Sequence, residues 1–191
     1  MMPLDSYEMK ALVDYLKWIG RNAPSEGEVF GQGFMKINLP NRAVNLENGM
    51  EIYRVQCVLC HGSKCEGIKG MESNLYLYPP LWGPDSYNNG AGMSRVITAA
   101  QFIKGNMPYG VTYESPILSD EDAYDVAGYI NQQERPVKIN LALDFPDLNR
   151  KPVSTPYPPY NDEFSLKQHH LGPFQPIIAY YKQKFNLVKK K

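Results

Sequence analysis

The run Cys-Val-Leu-Cys-His at positions 57–61 constrains this chain more than any other feature of its 191 residues. The spacing C-x-x-C-H is the attachment signature of c-type haem. Two thiols separated by two residues can add to the two vinyl groups of one haem, and the next residue is then held beneath the iron, where histidine is the usual proximal ligand. The sequence therefore predicts one covalent haem c on Cys57 and Cys60, with His61 as an axial ligand of the iron.

Three other interpretations of this motif stay open. A thioredoxin-type redox pair has the same Cys-x-x-Cys spacing but accompanies a βαβ pattern, which this sequence does not show. A zinc site could use the same side chains together with Cys65, but adjacent Cys60 and His61 would have difficulty occupying two corners of one tetrahedron. The last alternative is a chance occurrence of the motif.

A thioether is another common axial ligand of haem iron, and one methionine stands in a suitable loop. Met107 precedes Pro108 and lies between two glycines. Because proline fixes φ and glycine permits sharp reversals, this loop is stiff enough to present a thioether to a planar ring. Met107 follows His61 by 46 residues, enough chain to reach the opposite face of the haem. Met71 and Met93 are weaker candidates, since methionines more often fill gaps in a core.

Apolar periodicity predicts helices on both sides of the motif. One is expected over 48–57, leading into the cysteines, and a second over 94–104. A third over 118–130 begins with Ser119 and Asp122, which resemble a capping box. The helical spacing predicts an inward-facing set, namely Val96, Ile97, Ala100, Ile103, Ala123, Val126, Ala127 and Ile130. This order of elements predicts a small all-α haem domain over residues 44–135.

The same region resembles the class I cytochromes c. The residues that match are Gly49, Tyr53, Cys57, Cys60, His61, Met107, Pro108 and Tyr129. The resemblance implies an all-α class I cytochrome c fold in which the first and last helices cross around one haem. It also implies that Cys57 and Cys60 hold the haem, that His61 and Met107 are axial, and that the protein passes single electrons to redox partner proteins.

A narrower similarity extends over nearly the whole chain. Segments 83–93, 102–108, 157–160 and 168–176 resemble the second haem domain of the dihaem thiosulfate dehydrogenase (tetrathionate-forming or tetrathionate-reducing) family. In that family the sulfur chemistry occurs at a first haem with its own C-x-x-C-H motif, usually with a cysteine as distal ligand, and no cysteine precedes Cys57 here. Some members have a lysine beside the second haem's methionine as an alternative ligand. Here that neighbour is Asn106, and Lys104 is close only in sequence.

The resemblance thus implies an electron carrier more than an enzyme in its own right. The alternative is the electron-relay half of a thiosulfate/tetrathionate oxidoreductase whose catalytic haem domain or subunit is not in this chain. A haem-based ligand sensor is a third hypothesis. It requires an open or labile distal site, which the Met107-Pro108 sequence disfavours.

The flanking segments predict the rest of the organisation. Residues 1–20 align with the third helix of the haem domain at a constant offset of 114. The alignment indicates that residues 1–20 form the last helix of a preceding cytochrome domain. Any two amphipathic helices share some apolar spacing, so coincidence stays open. Residues 21–43 are expected to be a linker, and 136–191 a Pro-rich wrapping extension with a short helix over 162–170. His169 and His170, within it, are expected to be exposed.

Charge and cysteine usage exclude several classes of protein. Twenty basic and twenty acidic residues give a net charge of 0, which argues against nucleic-acid binding. No stretch of about 18 apolar residues predicts a transmembrane segment. Three cysteines within nine positions are no disulfide framework. Since haem is attached covalently outside the cytoplasm, the resemblance implies a periplasmic or otherwise exported protein, although no signal peptide is visible.

Two features allow more than one interpretation. The last residues contain Lys182, Lys184 and a terminal lysine run at 189–191. This pattern favours a frayed, solvated tail or, alternatively, a basic segment that binds an acidic partner by electrostatic attraction. Cys65 replaces a glycine that usually follows the motif. It is expected to be a small buried residue or, alternatively, a reactive thiol beside the haem.

Overall fold

This computed structural model describes residues 3–23, 33–71 and 75–189, which contain seven α-helices, three short 3₁₀ helices and one antiparallel strand pair. The helices are α1 (Tyr7–Gly20), α2 (Leu46–Gln56), α3 (Val58–His61), α4 (Val96–Asn106), α5 (Asp120–Asn131), α6 (Leu166–Leu171) and α7 (Gln175–Phe185). Strands β1 (Ile68–Lys69) and β2 (Tyr76–Tyr78) pair with an irregular register, Ile68 opposite Tyr78. The mostly helical content confirms the predicted fold class.

The chain divides into two compact units, Met1–Gly33 and Phe34–Lys191. In the first, α1 is capped by Ser6, whose side chain accepts a hydrogen bond from the Met9 amide at 3.2 Å. None of its residues is buried, and Leu12, Leu16 and Ile19 are each about half exposed. The caps of α1 and α5, at Ser6 and Ser119, are 113 residues apart, one less than the offset that aligns their apolar positions.

The second unit is built on the crossing of α2 and α5. Gly49 lies so close to α5 that a Cβ there would stand 2.2 Å from the Asp125 carbonyl oxygen and 2.8 Å from the Tyr129 Cβ. Only a residue without a side chain permits this approach. The crossing predicted from Gly49 and Tyr129 is therefore present, with the Tyr53 and Tyr129 rings 5.6 Å apart beside it.

Helix α5 is buried on more than one of its faces. The predicted inward residues of α4 and α5 are all buried, and so are Tyr124, Asp125 and Gly128. Asp125 accepts hydrogen bonds from the Arg42 guanidinium at 2.7 Å and from the Asn45 amide at 2.9 Å. Residues 34–43 of the predicted linker therefore pack within the second unit, while residues 24–32 lie outside the described part.

The C-terminal extension forms part of the core. Val153, Phe174, Ile177 and Tyr181 are each at most 2% exposed, and the Phe174 ring lies 6.2 Å from that of Tyr124 on α5. Helix α7 was not predicted: its signal is Pro176 in the first turn, followed by apolar residues at helical spacing. The extension thus encloses the second face of α5.

A buried carboxylate fixes this extension. Asp162 accepts hydrogen bonds from Tyr181 Oη at 2.7 Å and from the Phe164 amide at 3.1 Å, and its Oδ1 lies 2.9 Å from His169 Nε2. His169 is 2% exposed, its Nδ1 lies 2.8 Å from the Val153 carbonyl oxygen, and Tyr160 stacks on its ring. The expectation that both histidines are exposed is wrong, because the extension folds back over them.

The basic tail is likewise not simply solvated. Lys189 Nζ donates to the Lys151 carbonyl oxygen at 2.6 Å and lies 3.4 Å from the centre of the Tyr181 ring. Burial lowers the pKa of Lys189 to about 8. The expectation of a frayed tail is wrong for this lysine, while Lys190 and Lys191 lie outside the described residues. None of the described helices is long and apolar enough to cross a membrane.

Candidate haem site

The two motif cysteines lie on one short turn of helix. Cys57 ends α2 and begins α3, and its carbonyl oxygen accepts hydrogen bonds from the Cys60 amide at 3.2 Å and the His61 amide at 2.9 Å. Residues three apart on a helix point to the same side. The turn therefore presents both thiols on one side, with His61 directly after them.

The imidazole of His61 is oriented by a backbone carbonyl. Its Nδ1 lies 2.9 Å from the Pro79 carbonyl oxygen. A carbonyl oxygen only accepts, so Nδ1 carries a proton, and in the neutral imidazole Nε2 then keeps its lone pair. Among the described residues Nε2 has no hydrogen-bond partner. This is the tautomer that a metal-ligating histidine needs, with the hydrogen bond on its other nitrogen that such ligands commonly have.

The alternatives for the cysteines find no support in the structure. None of the three cysteines forms a disulfide. No group of three or more His, Cys, Asp or Glu side chains in the described ranges could hold a metal ion, so the zinc hypothesis is wrong for this arrangement. The strand pair β1–β2 is antiparallel and has no βαβ crossover, which removes the thioredoxin hypothesis. Burial raises the pKa of the Cys57 thiol to about 11.

Cys65 is a buried residue of the core. It is 0% exposed, and burial raises the pKa of its thiol to about 12. Its φ of 55° lies in the left-handed region, where glycine is the usual residue. These features support the small buried residue and disfavour the reactive thiol, since reactivity needs an exposed thiolate.

The methionine candidates occupy different environments. Met107 follows the last turn of α4, where its amide donates to the Ile103 carbonyl oxygen at 2.8 Å. Met107, Met93 and Cys57 all pack, partly buried, against the same hydrophobic core. Met71 is fully exposed, so it is not a core residue. Ligation of the iron by Met107 stays a prediction.

Lys104 is held away from any ligand role. Its Nζ is paired with the Asp120 carboxylate, and only 15% of the side chain is exposed. Asp120 also accepts a hydrogen bond from the Asn38 amide at 2.8 Å. Burial alone would raise the pKa of Asp120, but these contacts lower it below its usual value. The pair joins the end of α4 to the start of α5, which is a structural role.

The donor set present fits a covalent haem. Two thiols stand at the attachment spacing on one helical turn, and the adjacent imidazole has a free Nε2 and a fixed ring. Sequence reasoning missed Pro79, whose carbonyl fixes that ring. The pair Pro79-Pro80 after the motif was the available signal, because consecutive prolines stiffen the chain.

Comparison with known proteins agrees with this site. Residues 46–134 match the family model described as cytochrome c. The thiosulfate dehydrogenase of Stutzerimonas stutzeri (strain A1501) is 42% identical over 132 residues, which are 69% of this chain and 41% of the relative. That of Allochromatium vinosum is 38% identical over 136 residues, 71% of this chain and 48% of the relative.

A solved structure is also similar to this chain. Thiosulfate dehydrogenase (TsdBA) from Marichromatium purpuratum, in its as-isolated form, superposes with a TM-score of 0.60 at 37% identity. The match covers 73% of this chain and 29% of that one. The chain spans less than half the length of the curated relatives it matches. Residues 46–134 therefore belong to the cytochrome c family, and the chain is a class I c-type cytochrome that is similar to part of the thiosulfate dehydrogenases.

Proposed function

We propose that this chain transfers single electrons through one haem c, attached to Cys57 and Cys60 and ligated by His61 and Met107. The cytochrome c family implies covalent haem and electron transfer. The observation that supports the His61 assignment is its Nδ1 contact with the Pro79 carbonyl, which leaves Nε2 for the iron. Met107 is supported by its stiff loop and by packing on the same core as Cys57.

The protein sets the potential of such a haem through its ligands and their surroundings. A thioether ligand favours the reduced iron and raises the potential relative to a second imidazole. The Pro79 carbonyl is a neutral acceptor, so it orients His61 without giving the ring the electron density that a carboxylate partner would. Both features suit a carrier that accepts an electron readily.

The cysteine-bearing edge of the haem is the proposed route for electrons. Leu59 lies between the two cysteines and is 88% exposed, and neighbouring Val55 is 61% exposed. A haem linked to Cys57 and Cys60 would therefore present its thioether edge near an apolar surface. A redox partner protein would dock on this apolar surface.

A second candidate function is the relay half of a thiosulfate/tetrathionate oxidoreductase. It is favoured by the curated relatives named thiosulfate dehydrogenase, of which this chain matches less than half. In this proposal the partner is a catalytic cytochrome domain or subunit. Helix α1, whose apolar residues are exposed, would be the last helix of that cytochrome domain. Covalent haem attachment makes the periplasm, or another exported location, the proposed site of action.

Counting covalent haems tests the main proposal. The chain is produced with a signal peptide in a host competent for cytochrome c maturation. A pyridine haemochrome spectrum together with intact mass should give one haem per chain, and Cys57→Ser with Cys60→Ser should remove the covalent mass. A colourless product without added mass would refute the proposal.

Steady-state thiosulfate oxidation separates the two functions. The chain alone should be inactive with thiosulfate and an artificial electron acceptor, yet exchange electrons with small redox mediators. Turnover by the isolated chain would place a sulfur-oxidising site within these residues and overturn the assignment as a carrier.

A further inference from the structure

The backbone on either side of Pro79 is fixed to the segment that follows the haem motif. After Pro79, the Leu81 amide donates to the Cys65 carbonyl oxygen at 2.8 Å. Before Pro79, strand β2 ends at Tyr78, which pairs with Ile68 of β1. The Pro79 carbonyl therefore belongs to a short span of chain that is anchored at both ends.

Gly67 lies in direct contact with this span. A Cβ on Gly67 would stand 2.6 Å from the Tyr78 carbonyl oxygen, 2.6 Å from the Pro80 nitrogen and 2.8 Å from the Pro79 carbonyl carbon. All three are backbone atoms, so no side chain can rotate away to make room. Only glycine permits this approach, and a larger residue would push the Pro79 peptide out of its position.

The same glycine is tied to the backbone of the histidine that the Pro79 carbonyl orients. Its amide donates to the His61 carbonyl oxygen at 2.9 Å. Its φ of 74° lies in the left-handed region, which glycine adopts without steric cost. Gly67 therefore closes the turn over residues 61–67 with its amide and leaves room for the Pro79 peptide at its α-carbon.

These contacts join one residue to both ends of the hydrogen bond that orients the imidazole. We propose that Gly67 is a positioning residue for the haem, because it sets the Pro79 carbonyl against His61 Nδ1 and thereby the electron density that the ring gives to the iron. An acceptor on the other ring nitrogen raises the basicity of a metal-ligating histidine, so losing it favours the reduced iron. This inference rests on the proposed haem function and extends it to a residue without a side chain.

The test compares substitutions at two glycines with the same backbone conformation. Gly83 has a φ of 77°, and nothing lies within 4 Å of a Cβ there. Alanine is strained by a positive φ at either position, so only Gly67→Ala adds the collision with the Pro79 peptide. Asparagine tolerates positive φ better than alanine does, so Gly67→Asn and Gly83→Asn make a second, less strained pair. All four variants are produced as haem-loaded chains.

Exchange of the His61 Nδ1 proton with solvent reports the hydrogen bond directly. NMR of the reduced wild-type protein in heavy water should show slow exchange, and both Gly67 variants should exchange about tenfold faster or more, as expected when a hydrogen bond is lost. Their midpoint potentials should rise, because a ring without its acceptor gives less electron density to the oxidised iron. Both Gly83 variants should keep the wild-type exchange rate and potential.

The thermal unfolding midpoint separates positioning from general strain. It should fall in Gly67→Ala and in Gly83→Ala, since both carry the cost of positive φ, and fall less in the two asparagine variants. Only the Gly67 variants should combine a lower thermal midpoint with faster proton exchange and a higher potential.

Three results would overturn the proposal. The first is a pair of Gly67 variants whose His61 proton exchange and potential equal those of the Gly83 variants. The second is a changed potential without faster proton exchange, which would assign the effect to solvent access to the haem. The third is failure of both Gly67 variants to take up haem although both Gly83 variants do, which would assign Gly67 to folding alone. A wild-type chain without haem contradicts the proposed function itself, whereas haem-loaded Gly67 variants that match the controls contradict this inference alone.

Discussion

At the scale of single residues, the attachment motif is defined by neighbours in sequence, whereas the groups that surround it come from distant segments of the chain. Cys57, Cys60 and His61 could be named from the sequence because their chemistry depends on spacing along one turn. The Pro79 carbonyl that orients His61 is 18 residues away, and its contact depends on the path of the intervening chain. The assignment of these three residues to a haem stays a prediction, while the carbonyl group that orients His61 could not be predicted from the sequence.

Replacing Met107 by Ala tests the sixth ligand at this scale. The proposal expects the iron to become open to exogenous ligands and the midpoint potential to fall, since the thioether stabilises the reduced state. Carbon monoxide binding to the reduced protein and a redox titration measure both effects. Met93→Ala is the control, because Met93 is also a partly buried methionine packed on the core. A Met107→Ala protein with unchanged spectrum and potential would exclude this ligand.

At the scale of elements, the helices with one apolar face could be predicted, whereas the packing of the C-terminal extension could not. Helices α2, α4 and α5 lie within about two residues of their predicted bounds, since apolar spacing and the Ser119 cap are local signals. Helix α7 was missed, and the burial of His169 was predicted wrongly. Both depend on long-range packing of the extension against α5, which periodicity does not report.

Gly49→Ala should destabilise the protein through the α2–α5 crossing. The added methyl would stand 2.2 Å from a backbone oxygen, so the helices must separate. Overpacking of this kind costs about 1–3 kcal/mol, and more where backbone must move. Urea unfolding of the haem-loaded chain measures the loss. Gly20→Ala is the control, because nothing lies within 4 Å of a Cβ there. Equal stability of the two variants would contradict the crossing.

Acid should weaken the extension through Asp162. Burial alone would raise its pKa, but hydrogen bonds from Tyr181 and His169 outweigh it and lower the pKa of Asp162 below its usual value. A carboxyl whose pKa is lower when folded stabilises the protein above its unfolded pKa of about 4, and that contribution disappears as the pH falls through the folded pKa. Stability in urea should therefore drop below about pH 4.

The variant Asp162→Asn isolates this effect. It should lose about 1–3 kcal/mol at pH 7 and show a shallower fall of stability in acid than wild type. Asp147→Asn is the control, since its carboxylate is 55% exposed in a surface pair with Arg150. An acid profile of Asp162→Asn that matches wild type would assign the pH dependence to other carboxyls.

At the scale of the whole molecule, the buried core lies entirely within the second unit. Every residue of that core falls between Tyr53 and Tyr181. The family and fold class could be recognised from the sequence, because the motif and its flanking helices are contiguous. The role of α1 could not be decided in this way, since an apolar face indicates that something covers it without identifying what does.

Removing residues 1–33 should leave the haem protein intact. The shortened chain, beginning at Phe34, contains the complete core, both motif cysteines and the Met107 loop. Its absorption spectrum, midpoint potential and urea midpoint should equal those of the full chain, and size-exclusion chromatography should show less self-association, because the apolar side chains of α1 are gone. Failure to incorporate haem would show that the first unit is needed for folding of the second.

The carbonyl of Pro79 orients the His61 ring and, in the proposed function, would also affect the rate of electron transfer. In the proposed haem protein, an imidazole held by the carbonyl of a prolyl segment would be restrained from rotating when the iron changes charge. Little of the protein around His61 would then have to rearrange at the instant of transfer, so we expect a small reorganisation energy. A relay built this way would exchange electrons rapidly even across a modest driving force.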